Sequence, residues 1–189
     1  MLKVELEMTV SGYCKKRVLL HWISAAVIVW TLISGFYVAG NDVSEKTKHW
    51  VAFFNVSLTT VFIPFFFWRF CFFMAHARCM RVSLLSIEEK LVWLAHALIY
   101  LMVSVVLVTG VLMMDRPIDV FGVIKIAQPL SDPVLVALFV KIHVWACVVL
   151  SGLIALHVGA VLVHELCGHR ILRRMSLRLC EKRSNEQLE

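Results

Sequence analysis

The 189-residue sequence is short of charge, and this shortage excludes several classes of protein. Charged residues make up 17 % of the chain and hydrophobic residues 60 %, whereas an average soluble domain has about 25 % charged residues. This composition excludes a disordered chain and argues against a coiled coil or a soluble globule. The sequence also has no phosphate-binding glycine loop and no nucleophile–base pattern, which disfavours nucleotide-driven and hydrolytic chemistry.

Cysteine pairs are also missing. None of the six cysteines belongs to a Cys-x-x-Cys pair, which argues against a zinc site and a disulfide framework. We interpret these cysteines as packing residues.

The sequence contains four long apolar blocks. They lie at about residues 18–40, 50–74, 91–114 and 133–164. Because about 20 helical residues cross the hydrocarbon core of a bilayer, each block is long enough to span a membrane. Pro64 inside the second block predicts a kink. The sequence therefore predicts an all-α integral membrane four-helix bundle, with residues 1–189 forming a single membrane domain.

Basic residues are distributed unevenly around these blocks. Fourteen of the 19 Lys and Arg residues lie in the N-terminal segment, around the connection between the second and third blocks, and in the tail of residues 165–189. The positive-inside rule therefore predicts that both termini and this basic tail are cytoplasmic. We interpret the positive charge as facing anionic lipid, not nucleic acid, since no soluble segment interleaves aromatic with basic residues.

Four histidines fall inside the predicted spans: His21, His96, His143 and His157. Ionisable groups are costly there and are candidate functional residues, although a helix–helix hydrogen bond is the alternative for each of them. His143 and His157 are 14 residues apart, which puts them on one helix face about 21 Å apart. Imidazoles stacked in this way favour two haem groups over a proton relay or a single metal ion. The spans also carry almost no Asp or Glu that could serve a transporter.

The depth of each histidine suggests its partner. His21 and His157 both lie near the predicted cytoplasmic surface, so they can face each other across one inner haem. At the outer level, the second span brings Asn55 opposite His143, and an amide is a poor ligand for haem iron. His96, near the inner surface, could compete for the inner iron, line a quinone pocket or bond another helix. His164 is seven residues after His157, where a cofactor contact and an ordinary surface position are both open.

A series of short motifs runs through residues 11–176. They are His21-Trp22, Asn55-Val56-Ser57, Arg69, His96-Ala97-Leu98-Ile99-Tyr100, the run 110–122, the histidines His143, His157 and His164, and Arg173-Arg174-Met175. In this order the sequence resembles the bacterial cytochrome b561 and hydrogenase cytochrome b-subunit family of four-helix di-haem membrane proteins.

The resemblance implies a set of haem ligands. His21 and His157 would ligate the inner haem b, and His143 would ligate an outer haem together with a histidine that the family has at the position of Asn55. Two outcomes are open at the outer level. The haem is lost and His143 bonds Asn55 or another polar group, or a haem stays five-coordinate through His143. We expect one haem b, with two as the alternative.

The resemblance also implies which residues contact the cofactors and what the protein does. Arg69, His96 and His164 would contact haem propionates or a quinone. The expected function is electron transfer between a quinone and a redox partner in the bacterial inner membrane, and some members of the family oxidise superoxide with a quinone as acceptor. The alternative is an accessory subunit of a larger respiratory or dehydrogenase complex, with one haem or none.

Overall fold

Four long helices dominate the computed structural model, which describes residues 2–79 and 86–168 and gives only the backbone for residues 2–17, 76 and 79. They are α1 Leu2–Gly40, α2 Glu45–Cys79, α3 Ile87–Leu112 and α4 Pro133–Leu166. Each helix contains a segment long and apolar enough to cross a membrane: Val18–Gly40, Glu45–Ala75, Ile87–Leu112 and Pro133–Leu166. The predicted all-α membrane fold is confirmed. The Arg173-Arg174-Met175 motif and the basic tail from residue 169 onward lie outside the described residues.

The starts of α3 and α4 are fixed by polar side chains. Ser86 and Glu89 form a capping box, in which the Glu89 amide donates to Ser86 Oγ at 3.2 Å and the Ser86 amide donates to Glu89 Oε2 at 2.9 Å. At α4, the Val134 amide donates to Asp132 Oδ1 at 2.8 Å, and Pro133 occupies the first helical position. Such caps satisfy helix amides that have no partner within the helix. The caps therefore mark where the polar connections end and the apolar helices α3 and α4 begin.

The chain divides into two compact units. One comprises the chain up to Ala26 together with the chain from Leu156 onward, and the other comprises Val27–Ala155. In the second unit, the buried residues Phe62, Phe66, Val103 and Leu150 form a hydrophobic core. Partly buried side chains of α1 pack against this core, so segments of all four helices meet in the unit.

A small β-hairpin joins α3 to α4, and the sequence analysis did not predict it. Strand β1, Ile118–Val120, pairs antiparallel with β2, Ile124–Ile126. The turn places Phe121 at φ 49° and Gly122 at φ 74°. Two consecutive positive φ angles match the twist of a tight hairpin, and glycine adopts them without strain whereas phenylalanine rarely does.

Ser57 of α2 holds this hairpin in place. Its side chain is fully buried at 0 % exposure. Ser57 Oγ donates to the Asp119 carbonyl at 3.0 Å and accepts from the Phe121 amide at 3.1 Å. The Phe121 ring also contacts Phe53 and Phe54 edge-on, with centroids 6.3 and 5.9 Å away. These contacts on both backbone and ring account for the unusual conformation of Phe121.

Candidate functional site

The two histidines predicted for the inner level fall in the same compact unit. His21 lies on the part of α1 that belongs to this unit, and His157 lies on the corresponding part of α4. Both side chains are half-buried, and the His21 ring contacts the Trp22 ring edge-on at 5.8 Å. His164, in the last turn of α4, belongs to the same unit and is exposed.

Metal-ligating side chains are scattered in the part of the chain that the structure describes. Within residues 2–79 and 86–168, no three His, Cys, Asp or Glu side chains cluster closely enough to hold a metal ion. A porphyrin supplies four nitrogens and needs only axial ligands from the protein. Imidazole is a usual axial ligand of such an iron, and the assignment of His21 and His157 to an inner haem stays a prediction.

Arg69 lies in the second unit, on α2, and is held by an aromatic cluster. Its Nε donates to the Tyr100 hydroxyl at 2.9 Å, and the guanidinium carbon lies 5.5 Å from the centre of the Tyr100 ring. Phe73 stacks on Tyr100 at 4.4 Å and on Trp93 at 6.4 Å. The cation is thus positioned between α2 and α3 by aromatic side chains.

His96 and Trp93 add two more polar groups to α3 near this cluster. His96 Nδ1 lies 2.7 Å from the Val92 carbonyl oxygen. A carbonyl oxygen only accepts, so Nδ1 of His96 carries a proton. The buried indole N–H of Trp93 has no acceptor within residues 2–79 and 86–168. Trp93 was missed at the sequence level, where its only signal is its place three residues before His96.

A cavity of about 340 Å³ lies within the unit Val27–Ala155. All four helices line it, and Ile118 of β1, which is 2 % exposed, completes the wall. Most of the lining is apolar, and its polar side chains include Thr31, Lys48, Asn55, Thr59, Thr60 and His143. The structure therefore brings Asn55 and His143 to the walls of one cavity.

The hydrogen bonds of His143 indicate which of its two ring nitrogens carries the proton and which carries the lone pair. Its Nδ1 lies 3.1 Å from Thr109 Oγ1. The Thr109 hydroxyl donates its single hydrogen to the Val105 carbonyl at 2.6 Å, so it accepts from His143 Nδ1–H. Nε2 of the neutral ring then carries the lone pair, and its neighbour is Cys147 Sγ at 3.6 Å.

The absence of a side chain at Gly110 leaves space for the imidazole ring of His143. A Cβ added at Gly110 would lie 3.3 Å from His143 Cε1 and 3.6 Å from Nδ1. The first of these distances is shorter than an ordinary van der Waals contact. Glycine at this position therefore allows α4 to place the ring directly against α3.

Asn55 is bonded to α1, and its side-chain hydrogen bonds do not involve His143. Its Nδ2 donates to Ser34 Oγ at 2.8 Å, and its Oδ1 lies 3.0 Å from the same oxygen. The polar partners of His143 are Thr109, Cys147 and the backbone of Val106. Neither Ser34 nor Thr109 was singled out at the sequence level, because each acts through a neighbour that lies far away in the sequence.

A known protein family matches most of the chain. The model of a family described as prokaryotic cytochrome b561 matches residues 16–176. No curated protein and no solved structure matches the chain. The matched range includes the four membrane-spanning segments and every histidine considered above.

Proposed function

The chain belongs to the prokaryotic cytochrome b561 family, and from this premise we propose that it transfers electrons between a membrane quinone and a second redox partner. It is a multi-pass bacterial membrane protein and a b-type cytochrome of electron transfer. The proposed location is the inner membrane, where lipid surrounds the apolar helices. The observation that carries the proposal is the family match over residues 16–176, a range that contains His21, His143 and His157.

The proposed electron carrier is a haem b at the inner level. His21 and His157 are its proposed axial ligands, and their membership of one compact unit on two helices supports this assignment. A bound haem supplies an iron that takes up and releases one electron at a time. The role of His21 and His157 would be to hold this haem in place for electron transfer.

The proposed quinone or propionate contacts lie on α2 and α3. Arg69 is a permanent cation whose Nε donates to Tyr100, and a planar guanidinium is a side chain that recognises anionic oxygens. The Trp93 indole is a buried donor without an acceptor within residues 2–79 and 86–168. Because a buried unsatisfied donor costs about 1–3 kcal/mol, an oxygen acceptor from a ligand would stabilise this region.

Haem content of single-histidine variants tests the proposal. His21→Ala and His157→Ala should each lose the low-spin haem, measured per chain by the pyridine haemochrome and by the visible spectrum of the purified protein. His49→Ala is the matched control, since His49 is exposed in the first turns of α2. If both variants keep a full haem complement and an unchanged spectrum, the ligand assignment is wrong. A wild-type chain without haem would instead favour the accessory-subunit function.

A further inference from the structure

The β-hairpin between α3 and α4 has one apolar face and one charged face. Its antiparallel register contains three cross-strand pairs, which are Ile118 with Ile126, Asp119 with Lys125, and Val120 with Ile124. Residues directly opposite each other lie on the same face of a sheet, and consecutive residues of a strand lie on opposite faces. Four apolar side chains therefore share one face, and two side chains of opposite charge share the other.

The helices cover only half of the apolar face. Ile118 and Val120 of β1 are buried, whereas Ile124 and Ile126 of β2 are 58 % and 43 % exposed. The hydrogen bonds of Ser57 place β1 next to α2, and β2 is the other strand of this two-stranded sheet. The two isoleucines of β2 thus belong to the face that packs on the membrane-spanning helices, but they extend beyond the protein surface that β1 covers.

The position of α2 in the membrane gives the depth of the hairpin. The 20 residues between Lys48 and Arg69 include no Asp, Glu, Lys or Arg. As a helix they are about 30 Å long, which equals the thickness of the hydrocarbon core. Phe53 and Phe54, whose rings contact the turn of the hairpin, follow Lys48 by five and six residues, so they lie about 8–9 Å further along the helix axis. The turn therefore lies below the level of Lys48, within the membrane boundary.

We propose that the hairpin is inserted into the lipid leaflet at the Lys48 end of α2. Ile124 and Ile126 contact the acyl chains, and Asp119 and Lys125 face the headgroups and water. A depth of about 5–10 Å is typical of amphipathic elements that lie in the membrane interface. This inference rests on the membrane-spanning fold and does not depend on the proposed electron transfer.

The exposed apolar surface continues from the helix to the hairpin, which favours lipid as the occupant. Phe54 of α2 and Phe121 of the turn are in edge-on contact, with centroids 5.9 Å apart, and both are partly exposed. Phe54 lies on a membrane-spanning segment, where exposed apolar side chains meet acyl chains. The isoleucines of β2 extend the same surface, so lipid that covers α2 also reaches them.

Backbone hydrogen bonding limits the insertion to the side chains of β2. Non-helical backbone is tolerated at membrane depth only where it is buried in protein or reaches water. The buried hydroxyl of Ser57 bonds the Asp119 carbonyl and the Phe121 amide, so β1 meets this requirement within the protein. As an edge strand, β2 meets it at the level of the headgroups and their water. Its isoleucines can reach the acyl chains from there.

Thiol accessibility in a bilayer tests the orientation of the hairpin. Ile124→Cys and Lys125→Cys form a matched pair, since the two residues are adjacent, are both exposed and lie on opposite faces. The full-length variants are placed in nanodiscs of phosphatidylethanolamine and phosphatidylglycerol and treated with a membrane-impermeant maleimide. Mass spectrometry of the peptide that carries the new thiol keeps the native cysteines out of the measurement. Because a thiol among acyl chains forms little of the reactive thiolate, we expect Ile124→Cys to react at least about tenfold more slowly than Lys125→Cys.

A photoactivatable lipid identifies the occupant on the unmodified chain. A phospholipid with a diazirine in its acyl chain should attach to Ile124 or Ile126 on illumination. The exposed Asp42, in the connection between α1 and α2, is the control and should carry no adduct.

Three results would overturn the inference. Equal rates for the two thiols in nanodiscs would place both faces of the hairpin in water. Slow reaction of both thiols would mean that the charged face is covered as well. Protection of Ile124→Cys without lipid adducts on β2, together with disulfide-linked dimers of this variant, would assign the apolar face to a second copy of the chain.

Discussion

Gly110→Ala tests whether the close packing of α3 against α4 positions the His143 ring. An added Cβ would lie 3.3 Å from His143 Cε1, so the ring has to move by a few tenths of an ångström. In a helix interior, replacing glycine by alanine contributes up to about 1 kcal/mol of stability. We therefore expect unfolding at an equal or higher temperature together with a displaced imidazole, seen as shifted ring resonances of His143 in NMR spectra of the purified protein.

Gly35→Ala is the matched control for this prediction. Gly35 lines the same cavity from α1, but a Cβ added there would meet nothing within 4 Å. Both variants add one methyl group to the cavity wall, and only one of them touches the imidazole. Equal spectral changes in the two variants, or no change in Gly110→Ala, would refute the reasoning that close packing of α3 positions the ring.

Two other variants test contacts outside the haem ligands. Ser57→Ala removes the acceptor of the Phe121 amide and a donor to the hairpin, so we expect a loss of about 2 kcal/mol and faster hydrogen exchange at Phe121. Unchanged exchange there would contradict the anchoring role. Arg69→Lys keeps the charge but loses the Nε donor to Tyr100, so reduction of a short-chain quinone should need a higher quinone concentration while the haem spectrum is unchanged. Arg116→Lys, at an exposed position, is its control, and an equal effect in both would rule out a specific role for Arg69.

The membrane-spanning helices could be predicted from the sequence because their signal is local. A run of more than 20 apolar residues has one favourable arrangement in a bilayer, whatever its neighbours are. The spacing of His143 and His157 could be interpreted for the same reason, since both lie on one helix. The expectation that Asn55 and His143 lie at the same level needed only the direction in which each helix crosses the membrane.

The hairpin and the environment of His143 could not be predicted in this way. Strands of three residues are too short for an alternating pattern, and the residue that holds them, Ser57, precedes them by about 60 positions. The tautomer of His143 depends on Thr109, 34 residues earlier. Such contacts arise from packing between helices, which leaves no periodic signature in the chain.

The Ser57 anchor also implies an order of events during synthesis. Its partners Asp119 and Phe121 follow it by 62 and 64 residues, so they meet Ser57 only after α3 has entered the membrane. The wall that Ile118 completes is therefore added late to a chain whose first three helices are already in place. Until that moment the cavity lacks the part of its wall that Ile118 provides, because the connection has not yet folded back onto α2.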